Sequence, residues 1–173
     1  MINYSKMSYC VKYILSILLL LVLFGCAASL KSSGVPDGYS GETAYIEDHI
    51  YQESSSKGRI FAVSAVDGEN FETSFERTRR ASAGSGFGLS MVPAGRVVVA
   101  GKSQKFSLRA SHVTAAPIHA IFSSVTGSYL TVEKIVTFTP EANKRYTVKG
   151  VLKKDASDVW IEDTESGVKV ALQ

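Results

Sequence analysis

The chain has 173 residues, with 19 lysines and arginines against 16 acidic residues, so its charge is nearly balanced. A nucleic-acid-binding protein would show a broad basic surface, so this balance excludes nucleic acid as an expected partner. Only two cysteines occur, Cys10 and Cys26, both near the N-terminus. The rest of the chain therefore forms no disulfide and must fold on its own apolar core.

Residues 1–25 are predicted to be a secretory signal peptide. They carry Lys6 and Lys12, no acidic residue, and an apolar run from Tyr13 to Phe24. A basic start, an apolar run and small residues after it are the three parts of such a signal. As a helix this run would be about 18 Å long, which is short of the roughly 30 Å hydrocarbon layer of a membrane.

Two other interpretations of this segment remain open. The uncharged stretch from Tyr13 to Leu30 is long enough to serve as an uncleaved membrane anchor. Alternatively, a general signal peptidase would cut after Ala28 and release a soluble domain. Lys6 and Lys12 stay on the inner side in the anchored forms, so the domain faces outward.

The lone cysteine at the end of the apolar run favours a third interpretation. Leu23-Phe24-Gly25-Cys26 resembles the lipobox of bacterial lipoproteins, although Phe24 replaces the small residue usual at its place. The resemblance implies cleavage between Gly25 and Cys26 and a lipid anchor, diacylglycerol and palmitate, on Cys26, with no other cofactor. Ala27 rather than aspartate follows the cysteine, which resembles sorting to the outer membrane, with the domain facing the periplasm.

Residues 26–42 are predicted to be a flexible membrane tether, because small and polar residues dominate and no hydrophobic period is present. Residues 43–173 are predicted to form one domain. Short alternating runs separated by turns favour an all-β fold. We expect an antiparallel, immunoglobulin-like β-sandwich of about eight or nine strands.

The strand candidates follow one another along this domain. They are Thr43–Glu47, Arg59–Val66, Arg96–Ala100, Lys105–Ala110, Val132–Phe138, Tyr146–Leu152, Val159–Ile161 and Val168–Leu172. Asp67-Gly68 is a turn dipeptide that ends the second strand. The last four strands, with turns at regular spacing, are predicted to form an antiparallel meander.

Two segments of the domain stay ambiguous. Phe71 and Phe75 lie on one side of a possible strand, but Thr73 and Glu76 also match the capping box of a short helix. The segment Ala115–Phe122 is expected to be a short helical or irregular crossing, because proline suits a first helical turn.

Three segments carry a second resemblance. Val92–Gly95, Phe138–Gly150 and Val159–Asp163 with Ser166-Gly167 are similar to uncharacterised bacterial lipoproteins with predicted immunoglobulin-like or transthyretin-like sandwiches. The likeness covers most of residues 36–170. It implies a fold and no functional site, because these motifs belong to strands and turns.

The motifs that carry chemistry are weak. His49, His112 and His119 lack the close spacing typical of metal ligands, so a structural or surface role is favoured. Residues 84–88 do not form a Gly-x-Ser-x-Gly nucleophile elbow. Glu162 and Asp163 would point to opposite faces of a strand, which makes them a poor acid–base pair.

Two features are candidates for contact with a partner or with lipid. Arg77, Arg79 and Arg80 form the one basic cluster, and Arg77 and Arg79 share a face if the segment is extended. A solvated surface is the simpler interpretation of this cluster. Trp160 is the sole tryptophan, and an exposed tryptophan stacks on a sugar or anchors a partner, whereas one in a strand is usually core.

The sequence therefore predicts a non-enzymatic, membrane-anchored envelope module that binds or supports another envelope component, for example an envelope protein. An envelope hydrolase or metal-dependent enzyme acting on wall or glycan is the first alternative. A small-ligand carrier with a cavity between its sheets is the second.

The substitution Cys26→Ser is expected to abolish palmitate incorporation and to leave the precursor uncut, because the lipobox implies that the thiol receives the lipid. Metabolic labelling with palmitate measures both effects on one gel. Cys10→Ser is the matched control and should label like the wild type. Normal labelling of the Cys26→Ser variant would contradict the lipid anchor.

Overall fold

The computed structural model describes residues 30–115 and 130–170, which form two packed β-sheets and one helix. The strands are β1 (Thr43–Glu47), β2 (His49–Gln52), β3 (Lys57–Val66), β4 (Glu69–Asn70), β5 (Gly95–Val99), β6 (Gln104–Thr114), β7 (Thr131–Phe138), β8 (Arg145–Val151) and β9 (Asp158–Asp163), and the helix is α1 (Ser74–Ala81). The predicted all-β sandwich is confirmed at this level. The signal peptide, the lipobox, residues 116–122 and the end of the last predicted strand lie outside the described residues.

The two sheets share one apolar core. The first sheet has the order β5-β1-β8-β9, and the second has the order β2-β3-β6-β7 with β4 beside β3. Alternate residues point inward from each strand, so each sheet presents an apolar face to the other. The core contains Ile46, Val98, Val148, Val159 and Ile161 from the first sheet and Phe61, Val63, Phe106, Leu108 and Val136 from the second.

The first strand of the domain changes sheets at a single residue. β1 runs parallel to β8 and its pairing ends at Glu47 opposite Thr147. β2 begins at His49, which pairs with Phe61 in the second sheet. Asp48 is the only residue between the two strands, so it marks the corner where the chain crosses from one sheet to the other.

The predicted turn at Asp67-Gly68 is confirmed. Both residues have positive φ angles, 50° and 87°, and the flanking residues Val66 and Glu69 pair across the turn. Two positive φ values are typical of the tight hairpin turn that matches the twist of its strands. Glycine at the second position avoids the steric penalty of a side chain there.

The predicted meander of the last four strands is wrong. Val132–Phe138 belongs to β7, which pairs with β6 in the second sheet, whereas β8 pairs with β1 and β9 in the first. The connection between β7 and β8 crosses the sandwich, and the rings of Phe138 and Tyr146 at its two ends pack together with their centroids 5.3 Å apart. Over 168–170, the last predicted strand makes an isolated bridge between Lys169 and Glu162.

The ambiguous segment near Phe75 is the helix α1. Its capping box is complete, because the Thr73 hydroxyl accepts a hydrogen bond from the Phe75 N–H at 3.1 Å and the Glu76 carboxylate accepts one from the Thr73 N–H at 2.8 Å. These bonds satisfy N–H groups that have no partner inside the helix. The strand interpretation, which placed Arg77 and Arg79 on one strand face, is therefore wrong.

Within the segment predicted to be a membrane tether, Lys31 and Gly34 make backbone contacts with the domain. The Lys31 carbonyl accepts a hydrogen bond from the Glu72 N–H at 3.0 Å, and the Gly34 N–H donates to the Val97 carbonyl at 2.8 Å. Lys31 also forms an ion pair with Glu69 at 2.7 Å. The partners of these backbone groups are Glu72, between β4 and α1, and Val97 of the edge strand β5, and composition alone does not reveal them.

An ion pair closes one side of the sandwich. Lys134 of β7 donates a hydrogen bond to Asp158 of β9 at 2.9 Å, so it joins the edges of the two sheets. This bond is the largest influence on Asp158 and lowers the pKa of its carboxyl below the ordinary 3.8. Both side chains are partly exposed, and a partly exposed pair stabilises the fold by at most about 1 kcal/mol.

The substitution Asp158→Asn is expected to lower the free energy of unfolding by up to about 1 kcal/mol near neutral pH. The folded-state pKa lies below the unfolded value, so this stabilisation is present above 3.8 and is lost as the pH falls through the lower folded value. Urea unfolding at about pH 6.5 and about pH 3 should show a difference from wild type that shrinks in acid. Asp37→Asn, in an exposed segment, is the control; a difference that grows in acid would contradict the assignment.

Candidate functional site

The corner between β1 and β2 is held by a buried polar network, which we call the corner network. Asp48 and Arg96 form an ion pair at 2.6 Å, and their side chains are 0% and 1% exposed. The second Asp48 oxygen accepts hydrogen bonds from the N–H and the hydroxyl of Ser74 at 2.9 and 3.1 Å. Val63 donates its N–H to Asp48 at 3.2 Å and accepts from Arg96 through its carbonyl.

Opposing electrostatic effects act on this network. Burial raises the pKa of the Asp48 carboxyl, whereas the Arg96 guanidinium and the hydrogen bonds from Ser74 and Val63 lower it. Burial likewise lowers the pKa of Arg96, and Asp48 opposes that shift. Because every contact of the carboxylate is made inside the protein, we assign the network to structure: it joins β3, β5, α1 and the corner.

A surface cleft opens between β2 and β8, beyond the point where β1 stops pairing with β8. We call it the β2–β8 cleft, and its volume is about 320 Å³. Its lining consists of four aromatic and four other residues: His49, Tyr51, Phe61, Trp160, Arg59, Lys149, Gly150 and Glu162. It therefore combines apolar ring surface with donors and acceptors of hydrogen bonds, the combination typical of ligand-binding sites.

The cleft forms because the chain crosses from the first sheet to the second at Asp48. β8 pairs with β1 only as far as Thr147, but it pairs with β9 as far as Val151. Within the described residues, the β1 side of β8 therefore has no strand partner after Thr147. Tyr45 donates its N–H to the Lys144 carbonyl at 3.0 Å, so even-numbered residues of β8 face β1, and the backbone of Gly150 faces the cleft.

The two outer aromatic rings of the cleft are held by charged neighbours. Arg59 lies 4.6 Å from the ring centroid of Tyr51 and forms an ion pair with Glu53 at 2.7 Å. Trp160 donates its indole N–H to Glu162 at 3.1 Å. A cation over an aromatic face is attracted by the ring quadrupole, so these contacts orient rings that would otherwise rotate freely.

The floor of the cleft requires a glycine. A Cβ added at Gly150 would lie 2.7 Å from Cδ1 of Phe61 and 2.5 Å from the Asp158 carbonyl oxygen. The Phe61 ring packs there and lies 6.1 Å from the ring of His49. Burial, together with the positive charge of Lys149, lowers the pKa of His49, so the neutral imidazole is favoured in the cleft.

Two further cavities have charged or polar linings. One, of about 380 Å³, contains Lys144 and Asp163, but Lys144 already pairs with Asp163 at 3.4 Å and with Glu165 at 3.2 Å. The other, of about 260 Å³, lies beside α1 and is lined by Phe75 and Arg79 among others. The β2–β8 cleft differs from both in being lined by the sole tryptophan, Trp160, and by an exposed tyrosine, Tyr51.

The predicted basic cluster does not form one surface. Arg77 donates to Glu72 at 3.0 Å and to the Pro93 carbonyl at 3.2 Å, and Arg80 pairs with the same Glu72. This glutamate binds both guanidinium groups, which lower its pKa. Arg79 lies apart, at the cavity beside α1.

Of the other predicted residues, two line the cleft, one lies elsewhere in the domain and three lie outside the described residues. Trp160 is half-buried and lines the β2–β8 cleft together with His49. His112 accepts a hydrogen bond from the Leu130 N–H at 3.2 Å, whereas Gly25, Cys26 and His119 lie outside the described residues. Over residues 30–115 and 130–170, no group of three or more histidines, cysteines and acidic residues is placed to hold a metal ion.

Sequence reasoning missed most of the cleft. No sequence motif marked Tyr51, Arg59 or Lys149 as site residues. Lys149 is ninety residues from Arg59 along the chain. The pairing of β8 with β1 and of β2 with β3 brings them together. The only local signal was the pair Trp160 and Glu162, whose side chains share one face of a strand.

No family model, curated protein or solved structure matches this chain significantly. Among the described residues, no helix is both long enough and apolar enough to cross a membrane.

The substitution Asp48→Ala is expected to destabilise the fold by about 3–5 kcal/mol, because it leaves the Arg96 guanidinium buried without its counter-charge. Urea unfolding followed by circular dichroism measures the loss. The double variant Asp48→Leu with Arg96→Met should recover much of it, since no buried charge remains.

Glu47→Ala is the matched control for this test. Its neighbour in sequence is Asp48, but its carboxylate is 44% exposed and lies 3.7 Å from Arg145, so its loss should change stability by only about 0.5 kcal/mol. Equal effects of the two alanine substitutions would disprove the structural role of the corner network.

Proposed function

We propose that this chain is a bacterial envelope lipoprotein, anchored by lipid on Cys26 in the outer membrane, and that its domain is a non-enzymatic module that binds an envelope component. We further propose that the sandwich is immunoglobulin-like and groups with the uncharacterised lipoproteins that its sequence resembles. The observation that carries the proposal is the lipobox Leu23–Cys26, which is followed almost at once by a docked segment beginning at Lys31.

The short connection orients the domain. Four residues lie between Cys26 and Lys31, and an extended chain over those five Cα-to-Cα steps spans at most about 17 Å. Lys31 lies beside Glu69, and Glu69 pairs with Val66 at the end of β3. This end of the sandwich therefore rests near the membrane surface.

The β2–β8 cleft lies at the other end of β3. Val66 lies seven positions after Arg59 along this strand, which corresponds to roughly 23 Å. The cleft consequently lies away from the anchored end, where an envelope component is within reach. A cleft with oriented rings and polar groups supports binding as the role of the domain.

The location of the domain is testable with a single introduced thiol. In the mature protein Cys10 is removed and Cys26 is lipidated, so Lys57→Cys would supply the sole free thiol at an exposed position. We expect a membrane-impermeant maleimide to label it once the outer membrane is permeabilised, and the protein to sediment with membranes.

The control for this experiment is Asp37→Cys, at an exposed position near the anchored end, which should label under the same conditions. A cytoplasmic thiol protein must stay unlabelled in the same cells. Labelling of Lys57→Cys only after the inner membrane is broken would place the domain in the cytoplasm and overturn the proposal.

A further inference from the structure

We propose that the β2–β8 cleft binds a neutral, N-acetylated sugar unit of the cell-wall glycan. This inference rests on the proposed function, which supplies the envelope location, and it adds the site and the ligand class. Four properties of the cleft carry it: its aromatic rings, its charge balance, its unpaired backbone edge and its size.

The rings provide a stacking surface. Tyr51 is 51% exposed, and Trp160 lines the cleft on one side and a small neighbouring cavity on the other. Lys169 lies 3.7 Å from the centroid of the Trp160 ring and lines the neighbouring cavity rather than the cleft. The cation over Trp160 thus belongs to the neighbouring cavity, and tyrosine and tryptophan combine an apolar body with a polar end, as a sugar face requires.

The charges of the cleft nearly cancel. Lys149 is balanced by Glu162 within the lining, and Arg59 is paired with Glu53 at 2.7 Å. A cleft for an anion or a cation would show an excess of one sign. Mixed donors and acceptors without net charge instead complement the hydroxyl and amide groups of a neutral sugar.

The backbone of β8 adds a partner for an acetamido group. Gly150 faces the cleft beyond the end of the β1 pairing, and within the described part of the chain no strand pairs with it on that side. Its N–H and carbonyl thus present one donor and one acceptor, which match the amide of an N-acetylated sugar.

The size of the cleft favours a sugar over an extended peptide. A volume of about 320 Å³ lies at the lower end of the roughly 300–1,000 Å³ found for ligand pockets. Strand addition needs a row of backbone groups along an exposed edge. The unpaired edge of β8 ends at Val151, so it offers too few residues for a strand.

The sole tryptophan makes the test direct. Trp160 is the only tryptophan of the chain, so tryptophan fluorescence reports on the cleft and on the small neighbouring cavity that the same ring lines. The mature lipidated protein in detergent micelles would be titrated with chitotriose, an oligomer of N-acetylglucosamine. We expect a saturable change in emission, and we expect the protein to sediment with purified insoluble wall material.

Two variants locate the site while keeping the reporter. Tyr51→Ala and Lys149→Ala should each weaken chitotriose binding at least about tenfold, and tenfold in affinity corresponds to about 1.4 kcal/mol. Phe87→Ala is the matched aromatic control, since Phe87 is 71% exposed and is not part of the cleft lining. Thermal unfolding of all three variants confirms that the fold is retained.

The outcomes separate this inference from the proposed function. No fluorescence change together with no sedimentation on wall material overturns the glycan site, while palmitate labelling of Cys26 and maleimide labelling of Lys57→Cys still test the anchor and location. Unchanged affinity of the Tyr51→Ala variant overturns the assignment to this cleft. A response to a wall stem peptide but not to chitotriose overturns the ligand class.

Discussion

The ion pair between Asp48 and Arg96 is the interaction on which the arrangement of the two sheets depends. Asp48 is the one residue between β1 and β2, and its carboxylate is bonded to groups of β3, β5 and α1. An ionised carboxylate is costly to bury unless its oxygens are satisfied. The chain therefore turns from one sheet to the other at the place where those donors converge, and a slip of one residue would lose all of them.

The same turn determines where a site can form. When β2 leaves for the second sheet, β8 keeps its partner β9 but loses β1. The gap between the departing strand and the unpaired edge becomes the β2–β8 cleft, and its floor is Gly150 because the Phe61 ring occupies the space of a side chain. The turn at Asp48, which a buried ion pair holds, thus produces an opening at the surface.

The ends of the sandwich have different surroundings. Residues 31–35 dock on the domain near the β3–β4 turn, and the cleft lies at the start of β3. The anchor proposed at Cys26 would hold the first end near lipid and leave the second end exposed.

The sequence by itself determined the all-β class, the Asp67-Gly68 turn and the capping motif of α1. Each of these depends on residues close together in the chain, whose spacing acts directly on local backbone geometry. Only the tertiary structure decided that β7 and β8 lie in different sheets, that residues 31–35 are docked, and that Arg59, Lys149 and Trp160 share one cleft. Those arrangements depend on burial and strand pairing between distant segments, for which residue spacing carries no signal.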